Sequence, residues 1–202
     1  MTASECAKLL VAIGAVEVRT DPDRWFTWAS GERAPIYCDN RVLISHVEAR
    51  KRIADALADS IRRSFPDAEL IAGTATAGIP HAAWAAERLG LPMVYVRGSA
   101  KEHGKGKRVE GRVLAGERVV VLEDAVSFGG SSLAAVDAVN EEGGKVIGVQ
   151  AIYTYAFPKA VARFAAAGVT LVALTSYDAV LESLALDRAT RDVLVAWRER
   201  ER

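Results

Sequence analysis

The chain predicts an α/β fold: a mostly parallel central sheet flanked by helices, with a small N-terminal cap and a mobile loop. Three observations carry this prediction. From about Ser45 onward, short aliphatic runs alternate with stretches of helical periodicity, the order that builds right-handed strand-helix-strand crossovers. The run Val119-Val120-Val121-Leu122 is aliphatic at every position, as a strand buried on both faces must be. Two segments stand outside the alternation, residues 20–44, rich in aromatics and turn formers, and residues 98–111, cationic and rich in glycine. The first reads as a cap and the second as a lid.

The elements follow in order. Ser45-His46-Val47-Glu48 has the form of a capping box, and Ile53, Leu57 and Ile61 repeat along one face of the helix it opens. That helix ends near Phe65-Pro66. A strand is predicted at Leu70-Ile71-Ala72, a loop from Gly73 to Gly78 and a helix from about Ile79 to Leu89. Met93 to Arg97 and Arg118 to Leu122 read as further strands. Leu133, Val136 and Val139 mark a helix closed by Gly143-Gly144. Val146 to Thr154, Pro158 to Ala167 and Val169 to Thr175 repeat strand, helix and strand. With no internal repeat, 202 residues make one domain, 1–202.

Composition narrows the function. Lys plus Arg equals Asp plus Glu at 26 each, so no global basic excess argues for nucleic acid or an anionic membrane. Any affinity for anions must be local. Apolar stretches are short and the N-terminus lacks a basic-then-apolar leader, which predicts a cytoplasmic protein. Cys6 and Cys38 have neither metal-ligand spacing nor the density of a disulfide scaffold, and are expected as free thiols, packed or exposed.

The chemistry concentrates after the aliphatic run. Glu123 and Asp124 fall where ligands bind in such sheets, beyond the carboxyl end of a strand. From Ser127 to Ser131 the side chains are small or hydroxylated except Phe128, so backbone N–H groups can approach an anion as the next helix begins. Acceptors for hydroxyls thus stand beside donors for a phosphate, which is a sugar-phosphate site. A nucleoside-triphosphate site needs G-x-x-x-x-G-K-[ST], and Gly98, Gly104 and Lys105 miss it in spacing, with Gly106 after the lysine. The lid carries Lys101, His103, Lys105, Lys107 and Arg108 against Glu102 and Glu110, enough to neutralise a polyanion. It begins at the carboxyl end of a predicted strand, on the same side as Glu123 and Asp124.

Glu123-Asp124-Ala125-Val126-Ser127-Phe128-Gly129-Gly130-Ser131 resembles the phosphoribosyl-pyrophosphate motif of the type I phosphoribosyltransferases. Arg97-Gly98-Ser99-Ala100-Lys101-Glu102-His103-Gly104 resembles the mobile loop of the orotate phosphoribosyltransferases within that group, in the branch typified by bacilli. Phe26 to Gly31, Pro35 to Arg41 and Gly73 to Pro80 extend the likeness over about residues 20–175. The resemblance implies the type I fold with its hood, and transfer of ribose 5-phosphate from phosphoribosyl pyrophosphate to N1 of orotate. It implies Lys101, His103 and Asp124 as catalytic groups. Phosphoribosyl pyrophosphate falls to Arg97, Lys101, His103, Glu123, Asp124, Ala125, Val126, Ser127, Phe128, Gly129, Gly130 and Ser131. Orotate falls to Ser127, Phe26 and Arg41, with Arg33 as the alternative to Arg41 for its carboxylate. Mg2+ is implied as the cofactor, carried by the pyrophosphate near Glu123 and Asp124 with no certain protein ligand. The implied partner is a second copy, a homodimer in which each lid completes the neighbouring site.

The chain departs from the enteric members of that group. Lysines of theirs are replaced by Gly98, Ala77 and Ala29, and Tyr153-Thr154-Tyr155 occupies the region of an orotate-contacting arginine. Two rivals remain: a purine or uracil transferase of the same fold, lacking the Lys101-Glu102-His103-Gly104 lid, and a sensor of phosphoribosyl pyrophosphate, which would need a nucleic-acid domain.

Overall fold

A computed structural model describes residues 1–28, 31–98 and 107–200. Helix α1 (Ala3–Ala12) opens the chain behind a capping box formed by Thr2 and Glu5. The cap follows, with β1 (Val16–Val18), β2 (Phe26–Thr27), β3 (Arg33–Ala34) and β4 (Ile36–Cys38). Here β1 pairs antiparallel with β4, and β2 with β3, giving two short ladders. A 3-10 turn over Asn40–Ser45 leads into α2 (Val47–Ser64), β5 (Leu70–Thr74), α3 (Gly78–Leu89), β6 (Met93–Val96) and β7 (Val109–Glu110). The remainder is β8 (Arg118–Val126), α4 (Gly130–Glu141), β9 (Lys145–Thr154), α5 (Pro158–Ala166), β10 (Leu171–Ser176), α6 (Tyr177–Ser183) and α7 (Arg188–Arg200).

Six strands form the central sheet in the order β10-β9-β8-β5-β6-β7. Every neighbouring pair is parallel except β6 with β7. The α/β expectation therefore holds, with crossover helices on both faces. Because side chains alternate along a strand, β8 feeds two cores. Val120 and Leu122 pack with Leu10, Ile53 and Ala82 of α1, α2 and α3. Val119 and Val121 pack with Ala135 and Val139 of α4 and Phe164 of α5.

Some local expectations are corrected. The capping box does not form: Ser45 ends the 3-10 turn, and the N-cap of α2 is His46, whose side chain makes no capping bond. Strand β8 does not stop at Leu122, since Glu123, Ala125 and Val126 continue in register with Ala151, Tyr153 and Thr154 of β9. The far stem of the 98–111 segment is not loop, because Val109 is buried and pairs with Val96. Helices α1, α6 and α7 were not foreseen. Cys6 and Cys38 are both free and buried. Among the described residues, no helix is long and apolar enough to cross a membrane.

Candidate active site

The extension of β8 to Val126 decides where the two carboxylates go. Alternation sends Glu123 to the face of Val119 and Val121, and Asp124 to the face of Val120 and Leu122. Glu123 is only 5% exposed. Its Oε1 accepts from the Thr74 hydroxyl at 2.5 Å and from the Asp124 backbone N–H at 3.2 Å. Its Oε2 accepts from the Ser131 and Ser132 hydroxyls, each at 3.2 Å. One buried carboxylate thus ties the end of β5 to the first turn of α4.

Asp124 opens instead into a cavity of about 530 Å³, which the cap covers and which Phe26, Trp28, Arg41, Ala125, Ser127 and Tyr155 also line. Burial, and then the negative charge of Glu123, push its carboxyl up to about 8. The buried Asn40 amide donates to the Asp124 carbonyl at 2.8 Å, which fastens the strand end to the turn after the cap. In the lining of the same cavity, Arg41 binds Asp39 through Nε at 2.6 Å and Nη2 at 2.8 Å. Hydrogen bonds from Arg41 hold the Asp39 carboxyl below its ordinary range.

The loop after β8 has the geometry of an anion cradle. Gly129 is the N-cap of α4, in the left-handed region at φ 78°, and no side chain caps the helix. The first amides of α4 therefore lack intrahelical partners and stand where the helix dipole favours negative charge. A Cβ on Gly129 would come within 2.7 Å of Phe164 Cε2, so both conformation and space require glycine. Phe128 lies stacked on Phe157 at 4.9 Å and beside Trp28 at 6.3 Å, so the bulky residue of the loop belongs to an aromatic cluster. Val126 is 1% exposed and packs in the core cluster that holds Phe164, outside the lining of the cavity.

Arg97 follows β6, close to the Glu110 carboxylate at 3.7 Å. Its carbonyl accepts from Nε and Nη2 of Arg108, whose Nη1 reaches the Ala134 carbonyl of α4. Lys107 pairs with Glu142, so the far stem of the lid is pinned to the end of α4. Lys101 and His103, with Ala29 of the cap, lie outside the described residues. The structure thus gathers Asp124, Ala125, Ser127, Phe26 and Arg41 around one cavity and places Glu123 behind the cradle. Arg33 is not among them: its guanidinium donates to the Pro22 carbonyl and borders a separate groove beside α7.

Comparison with known proteins agrees with this arrangement. A phosphoribosyl transferase domain matches residues 43–166. An orotate phosphoribosyltransferase of Enterococcus faecalis is 50% identical over 98% of this chain and 95% of its own length. One from Bacillus caldolyticus is 51% identical over 96% and 95%. The chain belongs to the orotate phosphoribosyltransferase family. The crystal structure of an orotate phosphoribosyltransferase from Aeropyrum pernix superposes with a TM-score of 0.76, at 31% identity over 87% of this chain and 96% of that one. The expected kinship with the bacillus branch is borne out by the Bacillus relative.

Among orotate phosphoribosyltransferases, this chain's departures from the enteric pattern fall at distinct places. Ala77 caps α3 without a side-chain bond, and Gly98 follows Arg97 at the lid's near stem. Tyr153 is fully buried with its hydroxyl unpartnered, whereas Tyr155 reaches the cavity and accepts from the Cys38 N–H at 3.3 Å. Residue-level reading missed Thr74, Asn40, Tyr155 and Arg19. Thr74 falls within the Gly73 to Pro80 likeness, but its partner Glu123 is distant in sequence and has no local signal.

Proposed function

We propose that this chain transfers the ribose 5-phosphate group of phosphoribosyl pyrophosphate to N1 of orotate, releasing pyrophosphate and orotidine 5′-monophosphate. The observation that carries this reading is the shared cavity, where Asp124 and Ser127 at the end of β8 meet Phe26 and Arg41. An anion cradle at α4 sits next to it for the 5-phosphate.

The mechanism follows from charge. As the bond from C1 of the ribose to pyrophosphate breaks, the sugar gains positive character and the leaving group gains negative charge, so catalysis is positioning and electrostatic stabilisation. Asp124, whose carboxyl burial pushes up to about 8, would lose its proton as the cationic sugar and magnesium come near, and would then accept from a ribose hydroxyl. Glu123, already bonded on both oxygens, would act through the cradle rather than on the ribose. The amides of Gly130 and Ser131 would hold the 5-phosphate, and Ser127 and Phe26 would border the base. Lys101, His103 and Arg97 would close on the pyrophosphate from the lid.

The described residues hold no cluster of three His, Cys, Asp or Glu able to cage a metal. Magnesium would be bound mainly through substrate phosphates and one carboxylate, for which Asp124, lining the cavity, is the candidate. When bound, it would neutralise charge on the departing pyrophosphate. The enzyme would work in the cytoplasm as a homodimer, each lid closing over the neighbouring site. The test is to mix protein, Mg2+, phosphoribosyl pyrophosphate and orotate and follow orotate absorbance. Consumption of orotate is expected; turnover of a purine or of uracil without it would overturn the reading.

A further inference from the structure

Two arginines line the cavity among the described residues, Arg19 and Arg41. Their counter-ions are placed differently. Asp39, the partner of Arg41, lines the same cavity and meets the guanidinium with both oxygens. The pair brings almost no net charge to a ligand there. Glu17, the partner of Arg19 at 2.9 Å, does not line the cavity and is 59% exposed, so solvent and salt screen it. Arg19 is therefore the cavity cation whose charge reaches a ligand least cancelled.

Its geometry suits a flat anion. The Arg19 guanidinium carbon lies 3.9 Å from the centroid of the Phe26 ring, which packs 5.4 Å from Tyr37. Ring and guanidinium form one shelf. Arg19 Nε donates to Glu17 at 2.9 Å, Nη2 lies 2.9 Å from the same carboxylate oxygen, and Nη1 donates to the Arg24 carbonyl at 3.2 Å, which leaves one hydrogen on each terminal nitrogen. An arginine has five N–H donors in a fixed fork, so hydrogens remain for a carboxylate.

We propose that Arg19 is a specificity-determining residue, the group that binds the carboxylate of the acceptor base and favours a carboxylated pyrimidine over a plain one. This rests on the orotate reading above. Phe26 fixes the plane of the guanidinium, and Arg41, which donates to the Tyr37 hydroxyl at 3.3 Å, adds with Asp39 a neutralised pair to the same cavity.

The test uses the full-length protein and its Arg19→Gln variant, with Arg19→Lys and Arg41→Gln beside it. KM for orotate should rise about tenfold or more in Arg19→Gln, as expected for the loss of a charged hydrogen bond, while KM for phosphoribosyl pyrophosphate changes by less than about twofold. The second value also shows that the variant is folded. Arg19→Lys should recover part of the loss, because it keeps charge without the fork. The preference for orotate over uracil should fall by the same factor as the orotate KM rises. An unchanged orotate KM in Arg19→Gln, or a larger rise in Arg41→Gln, overturns the proposal while wild-type orotate turnover leaves the family reading intact. A wild-type protein that consumes no orotate overturns both.

Discussion

At the scale of single residues, the pleat of β8 separates two carboxylates that are adjacent in sequence and gives them different surroundings. Asp124→Asn keeps the shape of the cavity wall but removes a carboxyl that, although pushed up to about 8, would ionise against the cationic sugar of the proposed reaction, so turnover should fall about a hundredfold or more. Glu123→Gln should instead weaken the cradle: an amide cannot accept from Thr74, Ser131 and Ser132 together. The expected outcome is a stability loss of about 1–3 kcal/mol and a higher KM for phosphoribosyl pyrophosphate, read by thermal melts and steady-state kinetics. The two acidic residues and their rough location were legible in the chain. Their opposite directions were not, because that depends on where pairing with β9 ends, a contact distant in sequence. His81 adds a pH dependence at this scale. It is 1% exposed on α3, against Trp84, with neither ring nitrogen in a hydrogen bond. Burial pushes it down from 6.5 to about 4. Above pH 6.5 the imidazole is neutral folded and unfolded, and contributes nothing to pH dependence. Between 6.5 and about 4 only the unfolded chain takes the proton, so stability should fall by up to about 1.4 kcal/mol per pH unit. His81→Leu should flatten that slope in urea melts at a series of pH values. A slope unchanged by the substitution would place the acid sensitivity elsewhere.

At the scale of elements, the turn from β8 into α4 is the segment where backbone conformation, packing and anion binding coincide. Gly129→Ala puts a Cβ against Phe164 in a left-handed backbone, two independent penalties that together should cost about 2–4 kcal/mol. The cradle amides would shift with it, so KM for phosphoribosyl pyrophosphate should rise more than KM for orotate. Equal changes in both would mean that the turn only holds the fold. The Gly-Gly-Ser-Ser order was legible as such a turn because glycine and helix-capping chemistry are local. Elements set by distant packing were not: Ser45 resembles an N-cap but is absorbed into the turn over Asn40–Ser45. Helix α7 is a second case. Its Trp197 is 2% exposed and donates from Nε1 to the Arg33 carbonyl of the cap at 3.0 Å. The same ring lies edge-on to Trp28 at 5.8 Å, behind the cavity, so the C-terminal helix supports the cap hairpin. Helix α7 does carry an apolar run, Val193 to Trp197, but it is short and set between charged turns, and the cap it packs against is distant in sequence.

At the scale of the whole molecule, the proposed ligand groups stand at the carboxyl end of β8, and the stems of the 98–111 segment stand at the β6–β7 edge of the sheet. The lid stems run from Arg97 to Lys107, and the ion pair of Lys107 with Glu142 anchors the far stem on α4 of the same chain. Between those stems lie Lys101 and His103, and the proposed dimer has them acting on the partner's site. Mixing distinguishes that arrangement from a lid acting on its own site. Lys101→Ala lacks the lid cation, and Asp124→Asn lacks the carboxylate in the cavity. Each alone should be nearly inactive, with Lys101→Ala losing turnover far more than orotate binding. If the lid acts in trans, a mixed dimer has one site with both defects and one with neither. With full exchange of subunits at equal amounts, half of the dimers are mixed and half of their sites are intact. Activity should then recover to about one quarter of wild type. If the lid acts in cis, every site in every dimer keeps a defect, and mixing restores nothing.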